Sequence, residues 1–323
     1  MNIDFKPHIF IGSSKEGLPA AEIIRDRLKD IAVIKLWTRA FDIGKSNYEN
    51  LTTQIALYDY AILIATADDT ITSRKKTTKG ARDNVLFEFG LFAGGLGRSR
   101  ALYVLEKGIK IPSDLLGITF PIIAKSDTPD FIATLDTCVE DIKKHIADKE
   151  STFDLGFLPS TALAYGYFNN FVEKTVKRLL EDKKDEKAFV IQNDTFKIKE
   201  LKFTILIPND LSDDMFKKVI SKRLKDGWLK LKVDPKDDVR DYDFSVDMSK
   251  AVNGEMHLVD IPYTLNALNM AIELYSVKEH LGKNVRETLL EYREIRNFKR
   301  TLEYLIKRSS IAKDIVTIEI VDI

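Results

Sequence analysis

The sequence predicts an α/β chain in two parts: a parallel-sheet domain over residues 1–150 and an α+β domain over 151–323. Three observations lead there. The first half alternates short apolar runs with amphipathic stretches, as repeated strand–helix units do. Its run Tyr60–Thr66 is almost continuously apolar, which suits a strand buried on both faces. Around Asp148–Asp154 the pattern lapses into a short polar linker, and a different one begins at Leu155.

Taken in order, His8–Gly12 reads as a strand, followed by a turn carrying Ser13 and Ser14. Leu18–Asp30 is an amphipathic helix, Val33–Trp37 a strand and Tyr48–Tyr58 a helix. Beyond Tyr60–Thr66, a polar, basic stretch from Ala67 to Arg82 reads as a loop. A helix then carries Glu88 and ends in Gly94-Gly95-Leu96-Gly97, a cluster that suits a C-cap and turn. Ala101–Leu105 and Phe120–Ala124 complete the strands, and Phe131–Ala147 closes the domain. In the second half, a long helix covers Ser160–Glu181 and a solvated charge run covers Glu181–Lys187. Strands follow within Phe196–Pro208 and Leu229–Val233, and a hairpin pairs Arg240–Met248 with Met256–Ile261. A helix from Pro262 to Tyr275, a charged amphipathic helix over Glu287–Arg308 and a strand over Ile315–Val321 end the chain.

Composition excludes several classes. Lysine plus arginine (50) equals aspartate plus glutamate (50), so no global field draws the chain to a nucleic-acid polymer or a membrane. No run reaches transmembrane length, and Met1–Pro7 lacks the apolar region of a signal peptide. The single cysteine, Cys138, forms no intramolecular disulfide and fits a cytoplasmic protein. Four scattered histidines give no metal-ligand spacing, so no metal site is expected; no cofactor is expected either.

The chemistry concentrates in Asp83–Phe92. There Glu88 places one carboxylate inside an apolar, aromatic helix, and Asn84 shares its face four residues earlier. An unpaired carboxylate is expensive to bury, so Glu88 is paired, protonated or in a cleft, where it would serve as acid, base or charge stabiliser. Otherwise it lies at the solvent edge of a core helix. In parallel sheets ligands bind beyond the carboxyl ends of the strands, where Ser13, Ser14, Trp37 and the approach to Asp83 should converge. A Ser-rich turn at a helix start can cradle phosphate, or simply cap the helix.

Phe10-Ile11-Gly12-Ser13-Ser14, Leu36-Trp37, Asp59–Thr66 and Arg82–Phe92 resemble the bacterial TIR-like nucleotide-binding domains. Leu158–Asn169, Lys202–Pro208 and His257–Leu265 resemble a bacterial STING domain. Together they are similar to the TIR–STING fusions of bacterial anti-phage (CBASS) signalling. The resemblance implies a flavodoxin-like TIR domain that cleaves NAD+ with Glu88 as catalytic residue. Asp83 and Asn84 would assist, Asp83 otherwise being a helix N-cap, and Trp37 would stack on a ring or belong to the core. It also implies a STING-like homodimer holding a cyclic dinucleotide from a partner synthase and assembling into filaments. Phe171 aligns with a base-stacking aromatic and Tyr167 lies one turn earlier; core packing is the alternative for both. Asn169, Tyr263 and Thr264 are further contacts. Arg240 aligns with a lid arginine, and Asp260 either caps a turn or accepts from guanine N1–H and N2–H. Arginine with aspartate favours guanine, hence cyclic di-GMP. The expected function is a cyclic di-GMP-activated NAD+ glycohydrolase. The rivals are a non-enzymatic TIR scaffold and a hydrolase of another nucleotide.

Overall fold

The structure, a computed structural model, describes residues 6–37, 51–52, 54–73, 76–151, 158–191, 194–224, 227–232, 243–275 and 285–323. The chain divides into two compact units, Asp4–Asp154 and Leu155–Ile323.

In the first unit, β1 (His8–Ser13), β2 (Val33–Leu36), β3 (Tyr60–Ala65), β6 (Ala101–Glu106) and β7 (Ile122–Ile123) form a parallel sheet in the order β2-β1-β3-β6-β7. This is the flavodoxin-like order, and the strand sequence reverses direction between β1 and β3. β1 and β3 lie in the middle, and every residue of β3 is buried, as its unbroken apolar run requires. Helix α1 (Leu18–Leu28) buries Ala20, Ala21, Ile24 and Leu28, a helical spacing. Helix α3 (Phe131–Ser151) packs into the same core through Phe131, Leu135, Cys138, Val139, Ile142 and Ile146. Helix α2 (Asp83–Leu96) turns Val85, Phe89, Phe92 and Leu96 inward.

Two local expectations change. The stretch read as a loop holds an antiparallel hairpin, β4 (Asp69–Ser73) with β5 (Lys76–Gly80); its threonines and Ile71 are β-branched, which favours pairing despite the charge. Gly94 and Gly95 are helical, and only Gly97, at φ +84°, makes the C-terminal turn. Gly95 is also needed for contact, since a Cβ there would run into Ile55 Cγ2. Of the expected helix over 48–58, residues 51–52 and 54–55 are helical and 48–50 and 53 lie outside the described residues.

The second unit is a mixed sheet in the order β11-β12-β13-β10-β14. β10 (Glu200–Pro208) lies between β13 (Glu255–Asp260) and β14 (Val316–Val321) and runs parallel to both. The antiparallel side comprises β11 (Trp228–Lys232) and β12 (Asp243–Asp247). A separate hairpin joins β8 (Ala188–Ile191) and β9 (Asp194–Lys197). The expected long helix is present with an interruption: α4 (Pro159–Tyr167), a π-helical turn (Phe168–Val172) and α5 (Glu173–Lys184). Helix α6 (Met215–Arg223), the short α7 (Met248–Ala251), α8 (Thr264–Tyr275) and α9 (Val285–Arg308) complete the unit.

Helix α9, expected as a charged amphipathic helix, buries charges that such a pattern ordinarily leaves in solvent. Glu287, Glu291, Arg293, Glu294, Arg296 and Arg300 are all buried. Its charges face protein, and two of the carboxylates accept backbone hydrogen bonds, Glu294 from Ser160 (3.0 Å) and Glu291 from Leu211. Charge pattern alone does not distinguish a solvated face from one whose charges are partnered inside.

Candidate functional site

At the switch point of the first sheet, the carboxyl end of β1 runs through Gly12 into Ser13 and Ser14. A Cβ on Gly12 would lie 3.4 Å from Glu88 Oε2, 2.8 Å from Leu63 Cδ1 and 3.0 Å from Phe10 Cε1. The Glu88 carboxylate therefore lies over the bare backbone of Gly12. Helix α2 brings it there because Glu88 falls three residues after buried Val85 and four before buried Phe92, at the margin of the packed face. Phe92 packs on Phe10 with ring centroids 4.5 Å apart, and Trp37 tilts on Phe10 at 5.7 Å. Trp37 is half-buried and its backbone N–H donates to the Ile11 carbonyl (2.8 Å), which fixes its main chain beside Gly12. The result is a part-buried carboxylate with an aromatic wall.

The neighbouring residues divide. Ser13 is half-buried at the end of β1, whereas Ser14 is 6% exposed and its hydroxyl is already engaged. Ser14 Oγ accepts from the Gly17 N–H (3.2 Å) and shares a hydrogen bond with Thr66 Oγ1 (2.8 Å). It ties the β1–α1 turn to the end of β3. Asp83 and Asn84 are exposed in the first turn of α2. Arg82, not Asp83, holds the N-cap position, and it pairs with Glu16 across the crevice at 3.2 Å. Sequence reasoning missed Gly12, Thr66 and the Arg82–Glu16 pair. A glycine closing a strand, the usual mark of a close approach, was the available signal for the first.

In the second unit the structure joins three candidates. Tyr167 Oη donates to Asp260 Oδ2 (2.7 Å), and the Tyr167 ring lies 5.8 Å from that of Phe171. Burial pushes the Asp260 carboxyl up to about 7, against the opposing pull of the Tyr167 hydroxyl and the Ile261 N–H. Phe171 is 0% exposed, among Tyr167, Phe203 and Phe244. In this arrangement its ring is part of the core, so stacking on a base requires a neighbour such as Phe244 to move aside. The π turn carries both Asn169 and Phe171, and such turns are frequent at functional sites. Asn169 donates to the Tyr165 carbonyl (3.0 Å) and lines a groove of about 600 Å³ that includes Tyr304 and Arg308 of α9. Tyr263 is exposed and stacks on Phe216, centroids 5.8 Å apart. Thr264 is buried, and its hydroxyl has no hydrogen-bond partner among the described residues. Arg240 lies outside the described residues.

Residues 8–124 match the family described as CAP12/Pycsar effector protein, TIR domain, and residues 159–303 match the prokaryotic STING domain. CD-NTase-associated protein 12 from Flavobacterium daejeonense is 40% identical over 97% of this chain and 98% of its own length. The chain belongs to the CD-NTase-associated protein 12 family. A TIR domain followed by a prokaryotic STING domain is thus its organisation. Pycsar effector protein PaPycTIR from Pseudomonas aeruginosa is 42% identical over 35% of this chain and 38% of its own, a likeness to part of each protein. A solved bacterial STING in complex with c-di-GMP is 32% identical, with a TM-score of 0.44, over 52% of this chain and 99% of its own. Among the described residues no helix is long and apolar enough to cross a membrane.

Proposed function

We propose that the TIR unit cleaves NAD+ at the nicotinamide–ribose bond and that cyclic di-GMP, bound by the STING unit, switches it on. The observation that carries the first half is the Glu88 carboxylate over Gly12 at the sheet's switch point. In the reaction the C1′–N bond breaks and nicotinamide leaves with the bonding pair, cancelling its ring charge. The ribose becomes an oxocarbenium ion, water adds at C1′ and a proton is released. Glu88 supplies negative charge opposite the developing cation, and the Phe10–Phe92–Trp37 wall strengthens it by excluding water. The remaining face of Trp37 stacks on a planar ring of the substrate. Ser13, Asp83 and Asn84 supply polar contacts at the rim; Ser14 acts by holding the turn.

For the STING unit, relatives named for their association with a CD-NTase support a cyclic dinucleotide from a partner synthase. The buried Thr264 hydroxyl without a partner, beside the strand end that carries Asp260, supports a ligand contact there. Asp260 accepts from guanine, Arg240 closes over the ligand, and Phe171 stacks on the base as the π turn re-forms. Two copies share the ligand, and stacked dimers form the filament in which TIR units act, in the cytoplasm. Purified protein given NAD+ and cyclic di-GMP should release nicotinamide and ADP-ribose. Glu88→Gln should lose about 10²–10³-fold of that rate, as removal of a charge stabiliser does, whereas an unchanged rate would refute the assignment.

A further inference from the structure

On the free side of β6, away from the Gly12–Glu88 crevice, the TIR unit contains a cavity of about 670 Å³. That volume is of ligand size. Phe89, Tyr103 and Phe120 give it an aromatic side, with Phe89 and Tyr103 stacked at 4.6 Å and Phe120 edge-on to Tyr103 at 5.9 Å. Arg98 and Lys149 lie at its rim with one opposing carboxylate, Asp141, so the lining is net positive. Arg98 is exposed on the turn that starts at Gly97 and has no side-chain partner among the described residues. His145 Nε2 donates to the Ser99 carbonyl (2.6 Å) and anchors that turn to α3.

The cavity also contains an interrupted ladder. β7 pairs with β6 only at Leu105 and Glu106, and the Leu105 N–H donates to the Pro121 carbonyl (2.9 Å). The next rung would run from the nitrogen of Pro121 to the carbonyl of Tyr103. Proline has no N–H, so that rung cannot form. By the two-residue alternation of a strand, Tyr103 presents both its N–H and its C=O to this edge. Neither has a backbone partner there among the described residues. A donor and an acceptor side by side, next to aromatic rings and two cations, match the hydrogen-bonding edge, the ring and the phosphate of one class of molecule.

We propose that this cavity is a second nucleotide site, for a mononucleotide whose base pairs with the Tyr103 backbone and whose phosphate meets Arg98. It is separate from the Glu88 crevice and does not depend on the NAD+ reading. Full-length protein carrying Glu88→Gln would be titrated calorimetrically with 5′-AMP and with adenosine. Amide hydrogen exchange would be followed at Tyr103. AMP should bind and slow exchange at Tyr103. Arg98→Glu, with an unchanged melting temperature, should weaken AMP about tenfold or more while leaving adenosine unaffected, since a charge-assisted contact is at stake. No AMP binding at millimolar concentration, equal affinity in Arg98→Glu, or protection away from Tyr103 would overturn the proposal. So would protection of Tyr103 by an extended peptide and not by AMP, which would make the edge a strand-docking site.

Discussion

Glu88 and Gly12 face each other so closely that the carboxylate occupies the space beside the missing side chain, 3.4 Å from where a Cβ would project. Gly12→Ala therefore tests the crevice from below. The added methyl meets Leu63 Cδ1 at 2.8 Å and Phe10 Cε1 at 3.0 Å, so the β1–β3 core must shift. A loss of about 1–3 kcal/mol in denaturant melts is expected, the usual penalty of overpacking. Under the proposed function NAD+ cleavage should fall with it, because the shift of Leu63 and Phe10 disturbs the floor on which the Glu88 carboxylate rests; the methyl itself only touches that carboxylate.

Ser14 should behave as a structural residue. Removing its hydroxyl leaves the Gly17 N–H and Thr66 Oγ1 without their partner in a buried turn. Ser14→Ala should destabilise the protein by about 1–3 kcal/mol. The KM for NAD+ should change little, which steady-state kinetics on the folded fraction would show.

Asp260 gives the STING unit a pH dependence of definite sign. Its carboxyl titrates near 7 in the folded protein and in the ordinary carboxylate range, around 4, when unfolded. Between those values the native state holds a proton that the unfolded chain has lost. Stability from this group is thus fully present below about pH 4 and declines as pH rises to about 7. Asp260→Asn keeps an acceptor for Tyr167 and cannot ionise, so its melting temperature should exceed that of the wild type above pH 7 and lose this slope. Under the proposed function it should also weaken cyclic di-GMP, because the acceptor of guanine N1–H and N2–H is altered.

Glu294 joins α9 to the start of α4. The N-cap residue of α4, Leu158, provides no side-chain acceptor, and Glu294, 2% exposed, accepts the Ser160 N–H in its place. Asn297 adds hydrogen bonds to Ser160 Oγ (3.0 Å) and Thr161 Oγ1 (2.7 Å). Glu294→Ala should cost about 1–3 kcal/mol through the orphaned N–H, and Glu294→Gln much less. Chemical denaturation of the two variants would separate them.

The parallel sheet was legible because Tyr60–Thr66 is continuously apolar and strand–helix alternation leaves few architectures. Glu88 stood out for a related reason, a charge within an apolar face. The β4–β5 hairpin was not legible, since its lysines and threonines read as a polar loop until β-branching was set against charge. The buried charges of α9 were hidden too: their partners, such as Ser160 and Leu211, lie far away in sequence. Phe171 illustrates the remaining limit. Spacing places an aromatic on a helix, but whether its ring meets ligand or Phe203 and Phe244 depends on tertiary packing.

The most direct measurement is nicotinamide release from NAD+ by full-length protein, with and without cyclic di-GMP, alongside Glu88→Gln. The account predicts release that requires the dinucleotide and is lost in Glu88→Gln despite unchanged dinucleotide binding. Dinucleotide binding without any nicotinamide release by the wild-type protein would contradict it and leave a TIR scaffold in place of an enzyme.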